Sequence, residues 1–96
     1  MLVLVTYDVN TESDGGKKRL RRVAKCCLRY GQRVQNSVFE CVVDAAQYAM
    51  MENELLKIID QKSDSLRFYN LGNNYQSKAK HYGAKPTFDL SGTLLV

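Results

Sequence analysis

The opening stretch MLVLVTYDV limits what this chain can become more than any other segment. It is rich in β-branched and aliphatic residues and reads as a strand over residues 2 to 9. Side chains alternate across a strand, which sends Val3, Val5, Tyr7 and Val9 to one face and Leu2 and Leu4 to the other, ahead of Thr6 and Asp8. Both faces therefore begin apolar, and a strand apolar on both faces needs two covers. The carboxylate of Asp8 ends the second face, where burial without a partner would be costly.

The segment that follows, TESDGGKK, reads as a turn into a helix, with Ser13 or Asp14 as N-cap. GGKK lacks the spacing of a Walker A loop, so it reads as a turn rather than a phosphate cradle. The helix extends to Tyr30 and stops at Gly31, a residue suited to the C′ position. Leu20, Val23, Ala24, Cys27 and Leu28 form its apolar stripe, and Lys18, Arg22, Lys25 and Arg29 fall on the opposite face as a basic rail. RVQNSVFECVV reads as two short strands about Asn36-Ser37, or as one bent strand. Asp44 and Gln47 have capping-box spacing, opening a second helix with Tyr48, Met51, Leu55, Ile58 and Ile59 on its buried side. SLRFYNL is a fourth strand, and a polar, basic loop leads to a short terminal strand, TLLV.

The order β-α-β-β-α-β with a tail strand is the ferredoxin-like arrangement: an α+β fold with both helices on one face of an antiparallel sheet. A chain of 96 residues makes one such domain, spanning 1–96. The helices cover one face of the first strand. A second copy of the sheet covers the other, which implies a two-fold homodimer. No run is long enough to cross a bilayer and no signal peptide opens the chain, so the expected location is cytoplasmic, with no membrane partner. Cys26, Cys27 and Cys41 are odd in number and lack C-x-x-C spacing, as expected of reduced core thiols.

Charge is arranged in blocks. Residues 1 to 14 hold three acids and no base, whereas Lys17 through Arg33 hold eight bases and no acid. Such a block points to a polyanionic partner. At the end of the first strand, Asp8 has two readings. It caps the following loop, or it converges with a second Asp8 across the two-fold axis, where the pair shares a proton or binds Mg²⁺ or Mn²⁺. A metal beside cationic rows is what phosphodiester hydrolysis requires. His81 is the single histidine and has no Cys or second His at zinc-ligand spacing. Tyr7 reads as core rather than as a base-stacking platform.

VLVTYDV, KKRLRRVAK, GQRVQNSVFE and SLRFYNLG together resemble the CRISPR-associated spacer-acquisition endonuclease family, Cas2, the small partner of the CRISPR integrase. The similarity spans nearly the whole chain, and the specific element is an apolar strand ending in Tyr-Asp with Q-x-S-V-F-E about thirty residues later. The resemblance implies a ferredoxin-like homodimer, a divalent-metal nuclease activity on RNA or double-stranded DNA, and a place between two integrase dimers. It puts the metal-binding acid on Asp8. Supporting basic residues fall on Arg19, Arg22 and Arg33, among the registers that GGKKRLRR offers, and the hairpin positions on Ser37 and Phe39. The leading expectation is a metal-dependent endonuclease preferring double-stranded DNA. Its alternatives are a non-catalytic DNA-binding scaffold in the integrase complex, a single-stranded RNA-binding module, and a toxin-type ribonuclease of the same fold.

Overall fold

A computed structural model describes residues 1–84. The elements run β1 (Leu2–Asp8), α1 (Gly16–Tyr30), β2 (Gly31–Gln35), β3 (Val38–Val42), α2 (Ala45–Ile58) and β4 (Ser65–Asn70). The sheet is antiparallel throughout, in the order β2-β3-β1-β4, with β1 in the interior. This is the ferredoxin-like α+β fold expected from the element order. The tail strand TLLV lies outside the described residues.

Val3, Val5, Tyr7, Phe39 and Cys41 point to the helix side, where they join Val23, Cys26 and Cys27 of α1 and Met51, Leu55 and Ile58 of α2 in one buried cluster. Capping of α2 follows the sequence: Asp44 Oδ1 accepts from the Gln47 amide at 2.7 Å, and the Gln47 side chain accepts from the Asp44 amide at 2.9 Å. The three thiols are reduced and buried in the core, and burial pushes those of Cys27 and Cys41 up to about 12.

Three local expectations are corrected. The N-cap of α1 is Gly15 at φ 72°, a left-handed value that suits glycine, rather than Ser13 or Asp14. Those two residues are engaged with Arg19: the Ser13 hydroxyl and the Asp14 carbonyl both accept from its guanidinium. Gly31 follows α1 but is extended (φ −166°), and its lack of a side chain matters for a different reason. A Cβ there would stand 2.2 Å from the Glu40 carbonyl oxygen and 2.6 Å from Cys41 Sγ, so the glycine lets β2 lie against β3 immediately after the helix. Leu28 is 57% exposed, because α2 packs on the Cys26 side of α1 and rotates the buried arc away from it.

The other face of the sheet carries Leu2, Leu4, Thr6 and Asp8 on β1, Val38, Glu40 and Val42 on β3, and Ser65, Arg67 and Tyr69 on β4, as the pairing registers require. Exposure across this face is uneven, and Val42, paired with Leu2, is 38% exposed. Leu2 is fully buried, and its backbone pairs with Leu71 and Gly72 as the chain leaves β4. His81 comes close enough to Glu40 to stabilise its carboxylate against the upward push of partial burial. The Asp8 end is open.

Candidate active site

Asp8 is the last residue of β1 and is exposed. Tyr7, one residue earlier, turns inward to stack on Phe39 at 6.2 Å, so Asp8 turns outward to the open face. Two neighbours are fixed by register. Ser65 is paired with Asp8, and Arg67 is paired with Thr6 on the same face. The hairpin turn approaches from the other side, where the Tyr7 amide donates to Ser37 O at 3.1 Å and the Tyr7 hydroxyl to Asn36 O at 3.3 Å. Thr6, Asp8, Ser37, Val38, Ser65 and Arg67 line an open groove of about 650 Å³.

Among the described residues, the Asp8 carboxylate takes part in no hydrogen bond or ion pair. The loop that it would have capped is held by others: Asn10 Oδ1 accepts from the Glu12 amide at 3.0 Å, and Asp64 Oδ1 accepts from the Asn10 amide at 2.9 Å. The capping reading of Asp8 thus loses its task to Asn10 and Asp64. Asp64 itself is buried, bonded to Arg19 Nε at 2.8 Å, and its carboxyl is held down to about 2, chiefly by that guanidinium.

The basic residues divide into three environments. Lys18, Arg22 and Lys25 are exposed along the outer side of α1. Arg29 is exposed too, but it pairs with Glu54 of α2, whose second partner is the Cys26 thiol, donating at 2.9 Å. Arg19 turns inward to Asp64. Arg33 is exposed on the edge strand β2, its guanidinium 5.1 Å from the centroid of the Phe39 ring. Phe39 was expected among the nucleic-acid-contacting residues. Its ring is fully buried because it alternates with the open-face Glu40, so it belongs to the core and supports Arg33 from beneath.

The structure brings Asp8 together with Ser37, two residues that the sequence reading had singled out separately, and adds Ser65 and Arg67. These two could have been found from the β1–β4 register, but periodicity alone does not set a register between strands so distant in sequence. The structure does not bring Asp8 and the rail together: the rail runs along the outside of the helix layer, and Asp8 faces the opposite side of the sheet. Among the described residues there is no group of three or more His, Cys, Asp or Glu side chains that could hold a metal ion. The described residues of one chain therefore offer a hard cation at this face the carboxylate of Asp8 with hydroxyls nearby. That oxygen-only donor set suits Mg²⁺ or Mn²⁺ in kind and falls short in number unless a second copy contributes.

Fold and site define a small ferredoxin-like domain with an open carboxylate at a strand end and a separate basic helical face. The family model for CRISPR associated protein Cas2 matches residues 1–79, and the chain belongs to that family. It is 61% identical over 95 residues to the CRISPR-associated endonuclease Cas2 of Halalkalibacterium halodurans, covering 99% of each chain. It is 60% identical over 96 residues, the full length of both, to the CRISPR-associated endoribonuclease Cas2 of Chlorobaculum tepidum. The crystal structure of Streptococcus pyogenes Cas2 at pH 6.5 superposes with a TM-score of 0.74 at 59% identity, covering 86% of this chain and all of that one.

Proposed function

We propose that this chain is a divalent-metal-dependent endonuclease of a CRISPR system, cutting phosphodiester bonds of nucleic acid, with double-stranded DNA favoured and RNA as the other substrate. The relatives' names, endonuclease and endoribonuclease, support the reaction class, and only the second specifies a nucleic acid, RNA. The protein works in the cytoplasm as a homodimer and sits with CRISPR integrase dimers during spacer acquisition. The observation that carries the reading is Asp8: an exposed carboxylate at the end of an otherwise apolar strand, relieved of the capping role by Asn10 and Asp64.

Asp8 of each protomer provides the charge that holds Mg²⁺ or Mn²⁺, and the two-fold axis supplies the second carboxylate that one chain lacks. When bound, the cation contributes Lewis-acid polarisation of the phosphoryl oxygen and acidifies water. Ser37 and Ser65 offer hydroxyls to a phosphate in the groove, and Arg67 offers a cation. Lys18, Arg22 and Lys25 hold the duplex backbone at a distance from the cutting site, with Arg29, paired to Glu54, contributing less and Arg33 adding to the basic surface on β2.

Asp8→Asn keeps the size of the side chain and removes its charge. In an assay with duplex DNA and Mn²⁺, cleavage should stop, while duplex retention in EDTA should persist because the rail is untouched. Cleavage by Asp8→Asn at the wild-type rate would refute a metal-holding Asp8. The placement of the rail on the far side of the sheet favours one second reading, a DNA-binding scaffold within the integrase complex. That reading prevails if neither variant cuts and both bind.

A further inference from the structure

The electrostatic centre of the described chain is not Asp8 but Asp64, whose carboxylate is wholly shielded from solvent. It accepts four hydrogen bonds: from the Asn10 amide and the Asp60 amide, each at 2.9 Å, and from Arg19 Nε and Nη2 at 2.8 and 3.3 Å. Arg19 carries the connection further, donating to Asp14 O and to Ser13 Oγ, both at 2.7 Å. One carboxylate and one guanidinium thus tie the β1–α1 loop, the first turn of α1 and the α2–β4 loop to one another. Asp8 stands where these ties meet. Asn10 is two residues beyond it, and Ser65, which directly follows Asp64, is its partner across β1 and β4.

Asp8 has no bond of its own among the described residues, so its place is set by the backbone that carries it. We infer that Asp64, acting with Arg19 through the Asn10 amide, is a positioning residue for Asp8, and that Arg19 serves this clamp rather than a phosphate. The inference rests on the reading of Asp8 as the metal-holding acid. A buried ion pair adds little net stability over an apolar replacement, but it fixes geometry. Geometry is what a two-carboxylate metal site demands, and a displacement of about 1 Å at a reacting centre can lower a rate roughly a hundredfold. The guanidinium is used as a fork, with Nε and both terminal nitrogens engaged. A lysine at this position keeps the charge and loses the fork.

Asp64→Asn, Arg19→Lys, their combination and Asp8→Asn decide the matter against the wild type. The measurements are Mn²⁺ affinity by paramagnetic resonance, kcat on duplex DNA, and duplex affinity against salt in EDTA, with the thermal midpoint as a check on folding. Each clamp variant should lose roughly 10- to 100-fold in Mn²⁺ affinity and in kcat, the range typical of groups that orient a metal ligand. Duplex affinity and its salt dependence should stay at wild-type values. The combined variant should be no worse than either single change, because both break one device. Should Asp64→Asn fail to fold, Arg19→Lys, which leaves the carboxylate in place, carries the test alone.

Wild-type Mn²⁺ affinity and kcat in Arg19→Lys, with a salt slope lowered by about one in Arg19→Ala, would make Arg19 a phosphate contact and overturn the inference. Additive losses in the combined variant would overturn it as well. If Asp8→Asn binds Mn²⁺ as tightly as the wild type, the metal reading of Asp8 falls and the positioning role falls with it. Failure of the inference alone shows instead as an Asp8→Asn that loses Mn²⁺ beside clamp variants that keep it.

Discussion

On the helix side of the sheet Val3, Val5, Phe39 and Cys41 are fully buried, whereas on the opposite side Val42 and Tyr69 stand 38% and 43% exposed. The same strands build both surfaces, so the difference comes from what covers them. Two helices seal the first face. Among the described residues the second has no helix over it: Leu2 is buried there but its partner Val42 is 38% exposed, and toward Asp8 the residues Thr6, Ser65 and Arg67 replace aliphatic ones. The helix face sets whether the domain folds, and the open face holds Asp8, with the proposed chemistry and the proposed contact with a second copy.

The comparison is broken most severely from the helix side. Among the described residues Phe39 is the largest fully buried side chain, and it lies under both Tyr7 and Arg33. Phe39→Ala should destabilise the domain by about 4 kcal/mol, a large share of what a chain this small has available, and denaturant titration would register it. A loss below about 1 kcal/mol would mean that the core closes around the cavity. Loss of nucleic-acid binding in this variant reports unfolding and not a lost contact, since the ring has no exposed surface.

A change on the open face should act on assembly instead. Val42→Lys and Tyr69→Lys together place two charges on a face that the proposed dimer buries, yet each side chain is already partly in water. The thermal midpoint of the single chain should move little, since surface substitutions typically stay within about 0.5 kcal/mol. Sedimentation should fall from roughly twice the 10.9 kDa chain mass to that mass. A wild type that sediments as one chain at micromolar concentration would remove the two-fold site, and Asp8 would then lack its second carboxylate.

Much of the helix face was legible in the sequence, because it is written in local patterns. The alternation Val3, Val5, Tyr7 and the spacing Met51, Leu55, Ile58 need only a period, and the Asp44–Gln47 box needs only three residues. Asp8 was legible as an anomaly at the end of an apolar strand. What escaped is non-local. The Arg19–Asp64 pair joins residues 45 apart, so the sequence offered Arg19 as one more base in a basic block. The exposure of Leu28 follows from the side on which α2 docks, and the backbone of Leu2 pairs with Leu71 and Gly72, some seventy residues downstream. Gly31 was placed correctly for the wrong cause, since a helix-ending glycine and a close-packed glycine look alike in sequence.

The smallest expected effect belongs to neither face of the sheet but to the outer side of α1, and it sharpens the division of labour between them. Each side chain that neutralises a phosphate releases counterions, so the slope of log affinity against log salt falls by about 0.9 for each such contact removed. Lys18, Arg22 and Lys25 are exposed and make no ion pair among the described residues, so each Ala substitution should lower the slope by about one. Arg29 differs, because Glu54 already neutralises it and the Cys26 thiol anchors Glu54 in turn. Releasing Arg29 toward a phosphate means giving up that pair, and Arg29→Ala should change the slope by clearly less than its three neighbours. Filter binding of duplex DNA in EDTA between about 50 and 200 mM salt reads this directly, with cleavage suppressed. Stability should hardly move for the first three substitutions, since exposed charges contribute little to it. An unchanged slope in the combined Lys18, Arg22 and Lys25 variant would make α1 a solvated face and shift the polyanion contact to Arg33 and the basic residues after β4. Equal slopes for all four would mean that Glu54 yields Arg29 to the nucleic acid, which would couple duplex binding on the outer surface to the packing of α1 on α2.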